Sequence, residues 1–153
     1  MNAPLSPTDF YHTGIVVPDL DEAAAHLTAV AGYHWTKPME YIVPVVTADG
    51  GYEVPFRMSY SVQAPHLELV QAVPGTPWTA VPGRATHHLG YWTDDIATAS
   101  LQLEQAGFAR EVAPCADQHQ SFAYHVDATS TRIEIVDRAL FPDWPGFLQS
   151  MAQ

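Results

Sequence analysis

The chain has 153 residues, of which 47% are hydrophobic and 15% charged. That is the apolar content of one compact domain, or of two small modules sharing a core, and it excludes a disordered chain. Six Lys and Arg against seventeen Asp and Glu give a formal net charge of −11, which excludes the basic surface of a nucleic-acid binder and disfavours anionic membranes.

In chain order, the stretch Tyr11-His12-Thr13-Gly14-Ile15-Val16-Val17 reads as a strand. Strand alternation puts Thr13, Ile15 and Val17 on one face and His12, Gly14 and Val16 on the other. Asp19 then caps a helix, with Glu22 as its capping-box partner, and Leu20, Ala23, Ala24, Leu27, Val30 and Ala31 form an apolar stripe at helical spacing, ended by Gly32. From Tyr41 to Val73 the chain is rich in Tyr, Val and Phe, is broken by prolines and carries the hairpin signal Asp49-Gly50-Gly51, so three strands fit there. A Pro/Gly-rich stretch over 74–86 separates this first module, 8–73, from a second over 87–140.

The second module opens on His87-His88-Leu89-Gly90-Tyr91-Trp92, a strand in which His88, Gly90 and Trp92 oppose Leu89 and Tyr91. Asp94 or Asp95 caps the next helix, Ile96, Ala99, Leu103 and Ala106 form its stripe, and Gly107 stops it. Three further strands follow, in FAREVAP, SFAYHVDA and TRIEIVDR. The aromatic tail, 141–153, is expected to pack over an edge or against a second subunit. Cys115, the single cysteine, follows Pro114 in a loop-like stretch and reads as an ordinary loop residue. It cannot form an internal disulfide, and with no signal-peptide pattern or long apolar run the expectation is a soluble, cytoplasmic protein.

The two halves repeat one another. An offset of 76 superposes His12 on His88, Gly14 on Gly90, Asp19 on Asp95 and Leu27 on Leu103. The last strands, His66-Leu67-Glu68-Leu69 and Arg132-Ile133-Glu134-Ile135, match at an offset of 66. In each, the apolar pair should face the helix and the central glutamate should face away. If the sheet curls with its helix-free face concave, His12, Glu68, His88 and Glu134 point into one cavity, and the glycines leave room beside the histidines. Bare buried carboxylates are costly, whereas a divalent cation accepts neutral imidazole and carboxylate donors and balances two glutamates. Trp92, Tyr60 and Arg57 are candidates for the cavity wall, each with an ordinary structural reading beside it. By parity His87 points to the helix side and reads as structural, His66 lies toward the rim, and His125 sits on a strand bordering the cavity.

With these residues the chain, from Phe10 to about Arg138, resembles the vicinal oxygen chelate superfamily, which includes glyoxalase I, methylmalonyl-CoA epimerase, extradiol dioxygenases, and fosfomycin- and bleomycin-resistance proteins. The resemblance implies an α+β fold of paired βαβββ modules forming an open, curved sheet around a metal, with His12, Glu68, His88 and Glu134 as ligands. A His-Glu-His-Glu set is similar to bacterial nickel or cobalt glyoxalase I and close to the epimerase, which has Gln for the first Glu. It departs from the two-His, one-Glu set of the dioxygenases and fosfomycin enzymes, and from bleomycin-binding members, which lack the metal positions.

What the resemblance implies for chemistry is a divalent ion (Ni, Co, Zn or Mn) that polarises a substrate carbonyl and stabilises an enediolate after proton loss. Glu134 is the preferred base, with Glu68 acting on the opposite face. The expected activity is thus a glyoxalase-like isomerase, epimerase or lyase acting on a small carbonyl or thioester substrate, in a homodimer. The alternative is a drug- or metabolite-binding protein of the same fold.

Overall fold

The computed structural model describes residues 2–153. Its elements are β1 (Phe10–Val17), α1 (Leu20–Ala31), β2 (Met39–Thr47), β3 (Gly50–Tyr60), β4 (Leu67–Gln71), β5 (Thr86–Thr93), α2 (Ile96–Gln105), β6 (Ala109–Pro114), β7 (Phe122–Val126), β8 (Arg132–Asp137) and α3 (Trp144–Met151). The order βαβββ therefore occurs twice, followed by a terminal helix.

The helices begin where carboxylates can receive their first free N–H groups. Asp19 Oδ1 accepts from Glu22 N at 2.9 Å and Asp95 Oδ1 from Thr98 N at 3.0 Å. Asp94 is not a cap and instead pairs with Arg138. Leu20 is buried, and Ala23, Ala24 and Leu27 pack with Trp35 and Leu69 under α1. Val30, counted in the apolar stripe, is 67% exposed. The indole of Trp35 donates to Ala24 O and Thr28 Oγ1 and fills the space beneath the helix.

Within each module the first strand runs parallel to the last, placing Gly14 opposite Glu68 in β1–β4 and Gly90 opposite Glu134 in β5–β8. The modules join through antiparallel β1–β5, where His12 lies opposite Gly90 and Gly14 opposite His88. Alternation sends Leu69 and Ile135 into the layers beneath the helices, both fully buried. Glu68 and Glu134 go to the other face.

The open, curved sheet expected from the sequence is overturned. The strands close into a barrel in the order β1-β4-β3-β2-β6-β7-β8-β5. The closing seam is β2–β6, with Val45 opposite Pro114, Val46 opposite Ala113 and Thr47 opposite Val112. An open sheet would leave the β2 and β6 edges with unpaired N–H and C=O groups. The seam pairs them, and the inward side chains there are apolar and interlock: Val45, Val54, Val112 and Trp78 are each at most 1% exposed. Trp78 enters this core from the chain between β4 and β5, meeting Phe56 edge-on and donating to Tyr124 Oη at 3.2 Å.

The tail covers one end of the barrel. Leu148 is buried among Tyr11, Met39, Tyr60, Trp92 and Val136, and Lys37 N donates to Met151 O. Among the described residues, no helix is long and apolar enough to cross a membrane.

Candidate metal centre

Four adjacent strands each bring one donor into the barrel: β4 Glu68, β1 His12, β5 His88 and β8 Glu134. All four are buried, and their ligand atoms lie within 4.8 Å of one another. His12 Nε2 is 3.0 Å from His88 Nε2. Glu134 Oε1 is 3.2 Å from His12 Nε2, and Glu68 Oε1 is 3.2 Å from His88 Nε2. The crossed pairs, His12 with Glu68 and His88 with Glu134, are at 3.6 and 3.7 Å.

The cluster passes two tests of fit to a metal. Donors sharing one ion at 2.0–2.2 Å are spaced by about 3.0–3.5 Å from their neighbours, close to the spacing observed. Glu68 Oε1 and Glu134 Oε1 are also buried without a hydrogen-bond partner among the described residues, which a protein rarely tolerates unless another group satisfies them. Burial pushes His12 below its ordinary value despite the opposing pull of Glu68. His88 falls to about 3, from burial first, with Glu134 working against it. The Glu134 carboxyl is raised, by burial first and the charge of Glu68 second, partly offset by His88 and the Tyr124 hydroxyl. Neutral imidazoles beside buried carboxylates form a donor set that a divalent ion would hold and neutralise.

One imidazole has its tautomer fixed by its neighbour. His87 Nε2 lies 2.7 Å from the carbonyl of Pro77, which can only accept, so that nitrogen carries the proton. His87 falls to about 3 by burial first and is neutral; its Nδ1 is therefore a lone pair. His88 Nδ1, 2.9 Å away, donates to it. The lone pair of His88 is thereby on Nε2, aimed at the cluster, as a metal ligand requires. The sequence reading, which assigned His87 to the helix side as structural, missed this. The doubled histidine was the available signal, but alternation argued against contact between the two rings.

The glycines act across the β1–β5 pair rather than beside their own histidines. A Cβ on Gly14 would come within 2.0 Å of the His88 ring, and one on Gly90 within 2.0 Å of the His12 ring. Each glycine makes the space for the other module's imidazole.

A cavity of about 510 Å³ opens beside the carboxylates, lined by Glu68, Glu134, Tyr11, Tyr60 and apolar side chains. Of the three wall candidates, Tyr60 lines it. Trp92 stacks behind Tyr11, with ring centroids 3.5 Å apart. Arg57 lies on the outer face, with Nη2 3.1 Å from Asp21 and Nε 3.1 Å from Glu40, held there by strand parity. His66 packs edge-on against Trp144 and bonds Ser61 O. His125 faces α2, where Nδ1 donates to Phe108 O and Nε2 accepts from Ser100. Tyr124, which the sequence places with His125 on a strand bordering the cavity, stands opposite Glu134 in register, as Tyr60 stands opposite Glu68.

Residues 11–125 match the Glyoxalase/Bleomycin resistance protein/Dioxygenase superfamily, and the chain belongs to it. Among solved structures it is similar to a Streptomyces coelicolor methylmalonyl-CoA epimerase variant in complex with 2-nitronate-propionyl-CoA, with 17% identity, a TM-score of 0.57, and 84% of this chain and 96% of that one covered. Methylmalonyl-CoA epimerase from Mycobacterium tuberculosis is similar at 18% identity and a TM-score of 0.57, over 90% of this chain and 92% of that one. A hypothetical protein from Bacillus halodurans follows at 14% identity and a TM-score of 0.52, covering 84% and 92%. At these identities the likeness is one of fold. No curated protein sequence matches the chain significantly. Family and donor cluster together support a metal-dependent enzyme of isomerase or epimerase type.

Proposed function

We propose that the protein is a divalent-metal-dependent isomerase or epimerase that removes and returns a proton next to a substrate carbonyl. The observation that carries this reading is the convergence of His12, Glu68, His88 and Glu134 on one point, with both carboxylates also lining a cavity. These four residues would hold the ion. Imidazole and carboxylate donors without thiolate suit Ni, Co, Zn or Mn. When bound, such an ion supplies a Lewis acid that polarises the carbonyl.

The chain's own residues do the rest. Glu134, with 10% of its side chain exposed against 2% for Glu68, is the carboxylate more open to the cavity and serves as the base. It takes the proton from the carbon beside the carbonyl while the C–H electron pair moves toward the carbonyl oxygen. Return of the proton to the same carbon from the other face, with Glu68 as donor, gives epimerisation. Return to the neighbouring carbon gives isomerisation. The apolar wall and α3 keep bulk water from the site.

Protein purified without chelator is expected to carry about one divalent ion per chain by elemental analysis. Glu134→Gln should abolish solvent-deuterium exchange into substrate while leaving the circular dichroism spectrum unchanged. Exchange that persists in this variant would reject Glu134 as base. If chelated protein instead retained full ligand affinity with no exchange in any variant, the chain would be a binding protein of the same fold. We also assign it a homodimeric state in the cytoplasm, with Ile42 and Tyr41, 70% and 49% exposed, as candidates for a contact surface. Light scattering tests the oligomeric assignment.

A further inference from the structure

The cavity beside Glu68 and Glu134 is unlike a site for an anionic substrate. Its wall is built from Val43, Phe56, Met58, Phe122, Val136 and Phe141 with tyrosines between them, and none of its lining residues is basic. Acyl-CoA carries phosphates and glutathione conjugates carry carboxylates, groups that proteins meet with Arg or Lys. The chain has six such residues, and each is placed elsewhere. Arg57 is held by Asp21 and Glu40, Arg132 by Glu111, and Arg138 by Asp9 and Asp94. Arg84 donates to the Ser130 carbonyl. Arg110 lies beside Glu104 on the outer wall near α2, and Lys37 is exposed before β2. A net charge of −11 adds a repulsive field for anions.

Besides the two carboxylate oxygens assigned to the ion, one further polar atom on the lining residues has nothing to bond. Tyr11 lines the cavity, and its buried hydroxyl, with Tyr60 as a neighbour, makes no well-formed hydrogen bond among the described residues. A donor left idle beside two carboxylates is positioned for an oxygen of the bound molecule, because an unsatisfied buried hydroxyl is otherwise a cost.

We propose that the substrate is an uncharged carbonyl compound with an aromatic or branched aliphatic body, oriented by a hydrogen bond from Tyr11, and that acyl-CoA thioesters and glutathione adducts are excluded. This rests on the proton-abstraction reading of the same site.

The test uses probes with one reacting centre and different charge. The nickel- or cobalt-loaded protein is given 2-hydroxyacetophenone, the hemithioacetal of phenylglyoxal with 2-mercaptoethanol, the corresponding hemithioacetal with glutathione, and methylmalonyl-CoA. Solvent-deuterium exchange is followed by NMR. Binding of acetophenone and of acetyl-CoA is measured separately by calorimetry. The neutral probes should exchange at least about tenfold faster than the anionic ones, a difference of about 1.4 kcal/mol. Acetophenone should bind and acetyl-CoA should not, and Tyr11→Phe should weaken acetophenone binding several-fold with no loss of fold, since no existing bond is removed.

Faster exchange of the glutathione or CoA probe overturns the proposal and leaves the proton-abstraction reading intact. If no probe exchanges, that reading fails, and calorimetry alone decides: acetophenone binding without acetyl-CoA binding upholds the ligand class, and the reverse result sinks it. Unchanged acetophenone affinity in Tyr11→Phe removes the assigned role of Tyr11.

Discussion

At the scale of single residues, the site depends as much on what is missing as on what is present. Gly14 and Gly90 occupy β-strand positions where no special backbone angle is needed, yet each lacks a side chain because the opposite module's imidazole fills that volume. Gly90→Ala would put a methyl group 2.0 Å from His12 Cε1, so the ring must turn away and one donor is lost. Metal affinity should fall by more than about tenfold, by analogy with other supporting groups of metal sites, and overpacking around the buried ring should cost the metal-free protein about 1–3 kcal/mol. Competition with a chromogenic chelator measures this. His87 acts one step further out, through the proton it directs to His88. His87→Phe keeps an aromatic ring but frees the His88 tautomer, and the same assay should show a loss of about 10–100-fold in affinity. Equal affinity in this variant would mean that the proton chain from Pro77 is not used.

Among the elements, strand parity positions the donors and side chains between layers tie the elements together. His125 on β7 illustrates the second role, holding Phe108 O with one nitrogen and the Ser100 hydroxyl of α2 with the other. Its imidazole is lowered from 6.5, by burial first and against the pull of the Phe108 carbonyl. The folded value therefore lies below the unfolded one, and on acidification the unfolded chain takes up a proton that the folded chain resists. The stability this ring provides is complete above about pH 6.5 and is lost as the pH falls below that value toward the folded one. Urea midpoints measured from pH 8 to pH 5 should decline in the acid half of the range. In His125→Gln the decline should be shallower, and an identical slope would show that the ring does not titrate between the two states.

For the molecule as a whole, closure of the barrel and docking of α3 enclose a charged cluster in an apolar interior. Without a cation, the folded state must bury two glutamates around neutral histidines, a cost the unfolded chain escapes by hydrating them. Metal binding and folding are consequently linked. An ion that binds only the folded protein stabilises it by about 2.7 kcal/mol at a free concentration 100 times its Kd. Thermal unfolding should shift upward by several degrees on adding Ni or Co to chelated protein, and the shift should shrink sharply in Gly90→Ala. A midpoint indifferent to these ions would count against the metal centre even if the fold is as described.

Sequence alone determined much of this, because local rules carried it. Alternation placed Glu68 and Glu134 on the face opposite Leu69 and Ile135, Asp19 and Gly32 bounded α1, and the repeat of His12 and Gly14 at His88 and Gly90 pointed to a paired site. Other features waited on tertiary structure, because they depend on distant groups that no periodicity links. The β2–β6 seam joins edge strands of different modules, so an open sheet and a closed barrel leave the same alternation in the chain. The outward turn of Arg57 toward Asp21 and Glu40, the entry of Trp78 into the core, the reach of each glycine to the other module's histidine, and the contact of His87 with His88 were likewise decided by packing in three dimensions.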